Sequence, residues 1–287
     1  MKNKKLRSQR AAETRNRAAI YTVLILMSVI WLIPFVYLVC QAFRGESQCM
    51  VLYFFPKEWS LKNFEILFKQ TNFLNWYKNT FLIACVVAVV QTIITLSVSY
   101  SLSRMRFKGR KLLMNIMLIL GMFPGFLSMI ALYYLLKLVG FTSEGSIPGL
   151  ILVYVGSSGM GYYISKGYFD TIPKSLDEAA AIDGASRMRV FFSIIMPMAK
   201  PIIIYTVMMA FLAPWGDFMF ASLITFGHEE AYNVAVGLYK FLDKEHINNY
   251  FTVFCAGGLL VAVPITILFM SLQKYYVEGI TGGAVKG

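Results

Sequence analysis

Residues 173–197 read PKSLDEAAAIDGASRMRVFFSIIMP, a polar, small-residue segment between two long apolar stretches. Ser175-Leu176-Asp177-Glu178 has the form of a capping box, with Ser175 as N-cap and Glu178 reaching back to it. Asp177 and Glu178 also place negative charge at the positive end of the helix that follows. Ala179, Ala180 and Ala181 are strong helix formers, and Gly184 suits a left-handed C-terminal cap. The predicted helix is barely two turns long, marginal by itself in water, so it needs a partner groove. A face of alanines permits close approach, while Glu178 and Asp183 offer acceptors to donors on that partner. Ser186 is placed to cap a second helix, with Met188, Val190, Phe191, Ile194 and Ile195 as its apolar face. Pro197 and Pro201 then break direction.

The surroundings are apolar enough for lipid. Of 287 residues 57% are hydrophobic and only 15% charged, where a soluble domain carries about 25%. No charged residue falls within 18–43, 79–103, 112–136, 145–165 or 246–273, and Asp217 is the one acid within 201–227. About 20 apolar residues span a bilayer as helix. The expected fold class is therefore all-α and integral to the membrane, with six transmembrane helices near 18–43, 79–103, 112–136, 147–165, 202–226 and 251–274. Domain organisation follows: a basic N-tail over 1–17, one six-helix membrane domain over 18–274 with its polar loop at 166–200, and a C-tail over 275–287. The first span is too long for a signal-peptide core and no small-x-small cleavage site follows it, so it is read as a retained helix. Cys40, Cys49, Cys85 and Cys255 show neither paired nor metal-type spacing, and the three within spans, Cys40, Cys85 and Cys255, read mainly as packing residues.

A net charge of +12 raises nucleic acid as a partner, but its distribution argues against it. Nineteen of the 27 Lys and Arg lie in the N-tail, in 104–111, in 166–200 and at the C-terminus. The other eight (Arg44, Lys57, Lys62, Lys69, Lys78, Lys137, Lys240 and Lys244) sit in or beside the alternate loops. Cytoplasmic segments hold the excess of basic residues. Both termini and residues 173–197 are expected in the cytoplasm, with the basic tail against anionic lipid.

Two further patterns concern helix contacts. The aromatics of the first outer loop, from Tyr53 through Trp59 to Trp76 and Tyr77, suit either an interfacial helix or an aromatic belt. Gly121 and Gly125 bracket Pro124 in the third span, a spacing that favours close helix approach and a kink.

Glu178-Ala179-Ala180, Gly184 four positions after Ala180, Ile194 and Pro197 together resemble the EAA signature of the membrane subunits of ABC importers. Met196 stands where that pattern has Leu, a volume-conserving swap. The tail from Gln273 to Gly287, Ile172-Pro173-Lys174 and Trp215-Gly216-Asp217-Phe218 are similar to carbohydrate importer permeases of the maltose-permease type. That resemblance implies the type I ABC importer permease fold, in a bacterial cell membrane. It implies a heterodimer with a second related permease, an ABC ATPase dimer and an extracellular solute-binding protein. The coupling segment of such permeases docks on the ATPase, which carries over to Glu178, Ala179, Ala180, Asp183 and Gly184. Tails of this type face the ATPase pair, which points to Gly282, Gly283 and Lys286. ATP and Mg are implied on the partner ATPase, with no cofactor or metal on this chain, and the loop 227–250 faces the binding protein. Alternating access then moves a sugar, with maltose, malto-oligosaccharides and raffinose-type oligosaccharides all compatible with the tail.

Sugar recognition combines aromatic faces with hydrogen-bonding groups, and the candidates within spans are Gln91, Asn115, Tyr154, Trp215 and Asp217. Asp217 is the sharpest, because an ionisable group inside a span is costly; it serves equally as a helix–helix contact. The chain is not expected to be an enzyme: it has no Gly-Lys dipeptide and hence no P-loop. An ion-coupled secondary transporter is the alternative, but such carriers bury several ionisable residues, and here one acid has no basic partner in any span. A membrane hydrolase fares worse. His228 and His246 fall in or near an outer loop, without a metal or nucleophile motif.

Overall fold

A computed structural model describes residues 2–46, 53–122 and 125–284, with side chains at 14, 16–46, 53–122 and 125–275. Four helical stretches are long and apolar enough to cross a bilayer: Asn16–Ala42, Phe73–Arg104, Ser143–Thr171 and Ile247–Tyr275. Two bent pairs, Arg110–Met122 with Gly125–Leu138 and Arg187–Met198 with Lys200–Gly216, raise the count to six when each is taken as one crossing. The chain divides into two compact units.

The first unit holds residues 1–69 and 242–259. Its long helix α1 (Lys2–Ala42) keeps Pro34 within it, and its apolar positions from Ile20 to Phe35 are exposed. The short helix α2 (Lys62–Gln70) places Asn63 under the end of α1. Asn63 Nδ2 donates to the carbonyls of Ala42 at 3.0 Å and Arg44 at 2.8 Å, which satisfies acceptors that a helix terminus leaves open. Thr252 Oγ1 donates to Asn63 Oδ1 at 2.9 Å, so the same amide is used on both sides. Arg44 is fully buried. Its cost is offset by Gln41 Oε1 and the carbonyls of Tyr53 and Phe54, which accept from the guanidinium.

The second unit holds residues 70–241 and 260–287, built around α3 (Phe73–Arg104). Around it stand α4 (Arg110–Met122), α5 (Gly125–Leu138), α6 (Ser146–Gly156) and α7 (Gly159–Thr171). Next come α8 (Ser175–Ile182), α9 (Arg187–Met198), α10 (Lys200–Gly216), α11 (Met219–Thr225) and α12 (Val234–Tyr239). The final helix, α13 (Ile247–Ala284), belongs to this unit from Leu260 onward. Contacts of α3 with α10, α7 and α6 form the middle of the unit. Gly121 of α4 meets the start of α7 at Gly159 and Met160, a close approach that small residues allow, whereas Gly125 has open space.

Several expected boundaries shift, each for a physical reason. The second span starts at Phe73, six residues before the charge-free run, so Phe73 and Trp76 are core residues and not an aromatic belt. Gly237 makes room for Trp76, since a Cβ there would lie 2.1 Å from the indole. The fourth span is interrupted at Ser157 and Ser158. The fifth is not one helix over 202–226: α10 ends at Gly216, Asp217 is extended (ψ 99), and α11 follows. Pro214 removes a helix donor just before this break, and Asp217 Oδ1 accepts from Phe220 N at 3.0 Å to start the next helix. The last helix runs past residue 274 to Ala284.

Candidate coupling site

α8 begins where α3 ends. Ile172 is extended (ψ 127) and Pro173, with its fixed φ, starts the turn at once, so Lys174 is already helical (φ −68, ψ −21). This corrects the expected capping box: Ser175 lies inside the first turn, and among the described residues no side chain caps it. The start is fastened instead by Arg104, a residue that motif reading passes over. Arg104 Nη2 donates to Ile172 O at 2.8 Å, and its Nε lies 3.3 Å from Asp177 Oδ2. Beside it, Ser103 Oγ donates to Asp170 Oδ1 at 2.6 Å. Arg104 was legible only as one basic residue among five in a turn; its aim depends on the fold.

The other end of α8 forms as expected. Gly184 has φ +77, Gly184 N donates to Ala181 O at 3.1 Å, and Ala185 N donates to Ala180 O at 2.9 Å. These two bonds are the paired signature of a Schellman cap. Ser186 caps the next helix, its Oγ accepting from Arg189 N at 3.3 Å. Within α9 the turn widens to π over Phe191–Ile195 and Met196 N donates to Phe191 O. The wide turn ends just before Pro197, whose missing N–H and ring do not fit a regular helix interior. The chain then bends by 82° into α10.

Packing sorts the residues of the motif. Ala180, 7% exposed, faces a cluster with Leu96, Tyr100, Phe169, Val190 and Ile195. Phe191 lies 4.7 Å from Tyr100, ring to ring. Glu178, Ala179, Asp183 and Gly184 face outward. So do Ile182 at 86%, Met188 at 65% and Phe192 at 61%. A cleft of about 450 Å³ opens between the end of α3 and α8, lined by Tyr100, Arg104, Lys174, Asp177, Glu178 and Arg187 among others. Arg104 Nη1 has no hydrogen-bond partner among the described residues.

The candidate sugar residues fall in three places. Tyr154 and Asp217 come together, the Tyr154 hydroxyl donating to Asp217 Oδ2 at 2.6 Å. With Phe220 N on the other oxygen, both carboxylate oxygens of Asp217 are engaged within the chain. Trp215 is buried against Tyr77, with ring centroids 5.3 Å apart. Gln91 Nε2 donates to Ser158 Oγ at the α6–α7 break. Asn115 stands on an exposed side of α4. Gly282 and Gly283 continue α13, and Lys286 lies outside the described residues.

At the far end of α3, Asn79 Nδ2 donates to the carbonyls of Glu230 (2.7 Å) and Tyr232 (3.0 Å), and Trp76 Nε1 to that of Glu229 (3.2 Å). Asn233 Nδ2 holds the carbonyls of Asp217 (2.7 Å) and Pro214 (3.1 Å). Sequence reading missed these asparagines. Among the described residues no group of His, Cys, Asp and Glu is placed to hold a metal ion.

Residues 91–282 match the model of the family described as binding-protein-dependent transport system inner membrane component. The chain belongs to this family. Among curated relatives, the maltodextrin transport system permease protein MdxG of Bacillus subtilis (strain 168) is 37% identical over 96% of this chain and 98% of its own length. The galactooligosaccharides transport system permease protein GanQ of the same organism is 35% identical, over 93% of this chain and 94% of its own. One chain of a bacterial ABC transporter involved in import of the acidic polysaccharide alginate superposes with a TM-score of 0.75 at 19% identity. That match covers 91% of this chain and 97% of the other, and it shows the shared fold. As an inner membrane component of a binding-protein-dependent system, the chain is a multi-pass translocation subunit, and ATP hydrolysis lies in partner proteins.

Proposed function

We propose that this permease carries oligosaccharides of the maltodextrin class inward, with α8 as its contact with the motor. The observation that carries the reading is α8 itself. It is a short helix closed by a Schellman cap, with Ala180 turned into its own chain and Glu178, Ala179, Asp183 and Gly184 turned out beside exposed Ile182, Met188 and Phe192. Exposed apolar groups flanking a rigid two-turn helix suit a groove on another protein. Glu178 and Asp183 supply acceptors there, and Ala180 sets how closely the helix sits on α3.

The partners that fit are a second related permease, an ATPase dimer carrying ATP and Mg, and an extracellular solute-binding protein at the loop 227–250. The basic loops place both termini and residues 166–200 in the cytoplasm. Gly282, Gly283 and Lys286 extend the motor-facing surface from the tail. The substrate class is supported by the maltodextrin and galactooligosaccharide relatives at 37% and 35% identity over nearly the whole chain. Motor closure pulls α8, and Arg104 passes the displacement to α3.

The test is ATPase activity of the reconstituted complex with loaded binding protein, across glucose-, galactose- and fructose-containing oligosaccharides. Stimulation by glucose oligomers, absent in assembled Glu178→Lys and Gly184→Pro complexes, is the expected result. Equal hydrolysis in wild type and both variants under every condition would sink the coupling role.

A further inference from the structure

Two interrupted helices lie side by side within the spans. The stretch Ser143–Thr171 is broken near its midpoint, at Ser157 and Ser158. The second break follows α10, at Asp217 and Phe218. Tyr154 and Asp217 join the two breaks through their hydrogen bond, and Tyr154 stands as far from Thr171 along its helix pair as Asp217 does from Lys200 along α10. The two breaks are therefore level with one another, and both fall inside stretches that read as membrane spans, 145–165 without a charge and 201–227 with none but Asp217 itself.

Unwound backbone is not tolerated against lipid inside a span, because its carbonyls and N–H groups have no water to bind; it persists where protein covers it or where it lines a water-filled cavity. Part of each break is covered. Asn233 Nδ2 takes the Asp217 carbonyl, Ser158 is buried under Gln91, and Ser157 N donates to Val153 O at 2.9 Å. The remaining side is open. Gly156, Ser157 and Gly216 are exposed, and among the described residues nothing lies within 4 Å of a Cβ built on Gly156 or Gly216. Among the described residues the Ser157 hydroxyl bonds only the local Tyr154 carbonyl, at 3.2 Å.

We infer that this open side of the paired breaks lines the aqueous translocation path. Ser157 and the backbone at Gly156 and Gly216 present hydrogen-bonding groups there to a hydroxyl-rich substrate. The inference rests on the oligosaccharide reading above and moves the contact from side chains to backbone. Asp217 and Tyr154 hold the breaks open, and it is their neighbours that meet the sugar. A surface of carbonyls and one small hydroxyl suits neutral polyols, which offer donors in many directions and carry no charge to neutralise.

Accessibility of introduced cysteines tests it in the whole complex. With Cys40, Cys49, Cys85 and Cys255 replaced by Ser, single Ser157→Cys and Gly216→Cys variants are exposed in membranes to a charged, water-soluble methanethiosulfonate reagent. Leu152→Cys and Met209→Cys, on exposed apolar helix faces nearby, are the comparison. Thiolate is the reacting form and apolar surroundings suppress it, so the two break positions should react at least roughly tenfold faster than the comparison pair. Maltodextrin-loaded binding protein should slow that reaction. If the complex transports maltodextrin while Ser157→Cys and Gly216→Cys react as slowly as Leu152→Cys, the inference falls and the breaks are covered by a partner permease. If the unmodified complex moves no oligosaccharide, it is the proposed function that fails, whatever the cysteines do.

Discussion

At one end of α3, Trp76 is 2% exposed against Gly237, Asn79 donates to the Glu230 and Tyr232 carbonyls of the loop before α12, and Thr80 Oγ1 accepts from Val234 N at the start of α12. At the other end, Arg104 borders an open cleft, and apolar Ile182, Met188 and Phe192 face outward. One helix, about 48 Å long at 1.5 Å per residue, thus joins a self-sufficient end to an unfinished one. The lesson is about where partners act. The closed end is packed against its own loop, and under the coupling role proposed for α8 the open end would be completed by the motor, so that a push there is carried along α3.

The sharpest way to break this contrast is to overfill the closed end. Gly237→Val brings side-chain carbon onto the Trp76 ring and should cost more than about 3 kcal/mol, read as loss of a monodisperse, cooperatively melting protein in detergent. A Gly237→Val protein that melted like wild type would mean the closed end is loose after all. Asn79→Ala comes next. It removes the Asn79 donor from the Tyr232 carbonyl and one of two side-chain donors from the Glu230 carbonyl, which keeps Asn75, and should lower stability by about 1–3 kcal/mol in denaturant or thermal melts.

At the open end the costs shrink while the functional losses grow. Arg104→Gln removes the charged partner of Asp177 and should cost about 1–2 kcal/mol. Its more telling readout is oligosaccharide moved per ATP hydrolysed, which should fall, and a Arg104→Asp, Asp177→Arg exchange should recover part of it. Gly184→Ala has free space but a left-handed backbone, so about 1 kcal/mol is expected from the melting curve. Glu178→Lys should leave stability within about 0.5 kcal/mol, since the side chain is exposed, yet abolish stimulated hydrolysis. Unfolding by Glu178→Lys would erase the difference between the two ends.

Local chemistry made the second half of the coupling segment readable. Gly184 adopts the left-handed cap because it has no Cβ to clash there, and Ser186 caps because its hydroxyl reaches a nearby backbone N–H. Ser175 misled for an equally local reason: Pro173 outranks it in starting the turn. Hydropathy placed the spans but could not separate Trp76, in the core, from Trp31, which is exposed. Both are apolar, and what distinguishes Trp76 is tertiary: the gap at Gly237 and the Glu229 carbonyl that accepts from its indole. Asp217 stood out because a lone acid in a span demands a reason, with sugar contact and a helix–helix contact equally open; the fold supplies a contact of the second kind, with Tyr154 and Phe220 N as partners.

By itself the chain of residues determined the class of protein, the approximate spans and the short capped helix, because hydrophobic length and capping are properties of neighbours in sequence. Tertiary structure alone decided that Arg104 anchors α8, that Ala180 turns inward, and that two spans break side by side at Ser157 and Asp217. Each of these depends on groups tens of residues apart meeting at a few ångströms, and the energy of such a contact belongs to the pair and to neither residue alone.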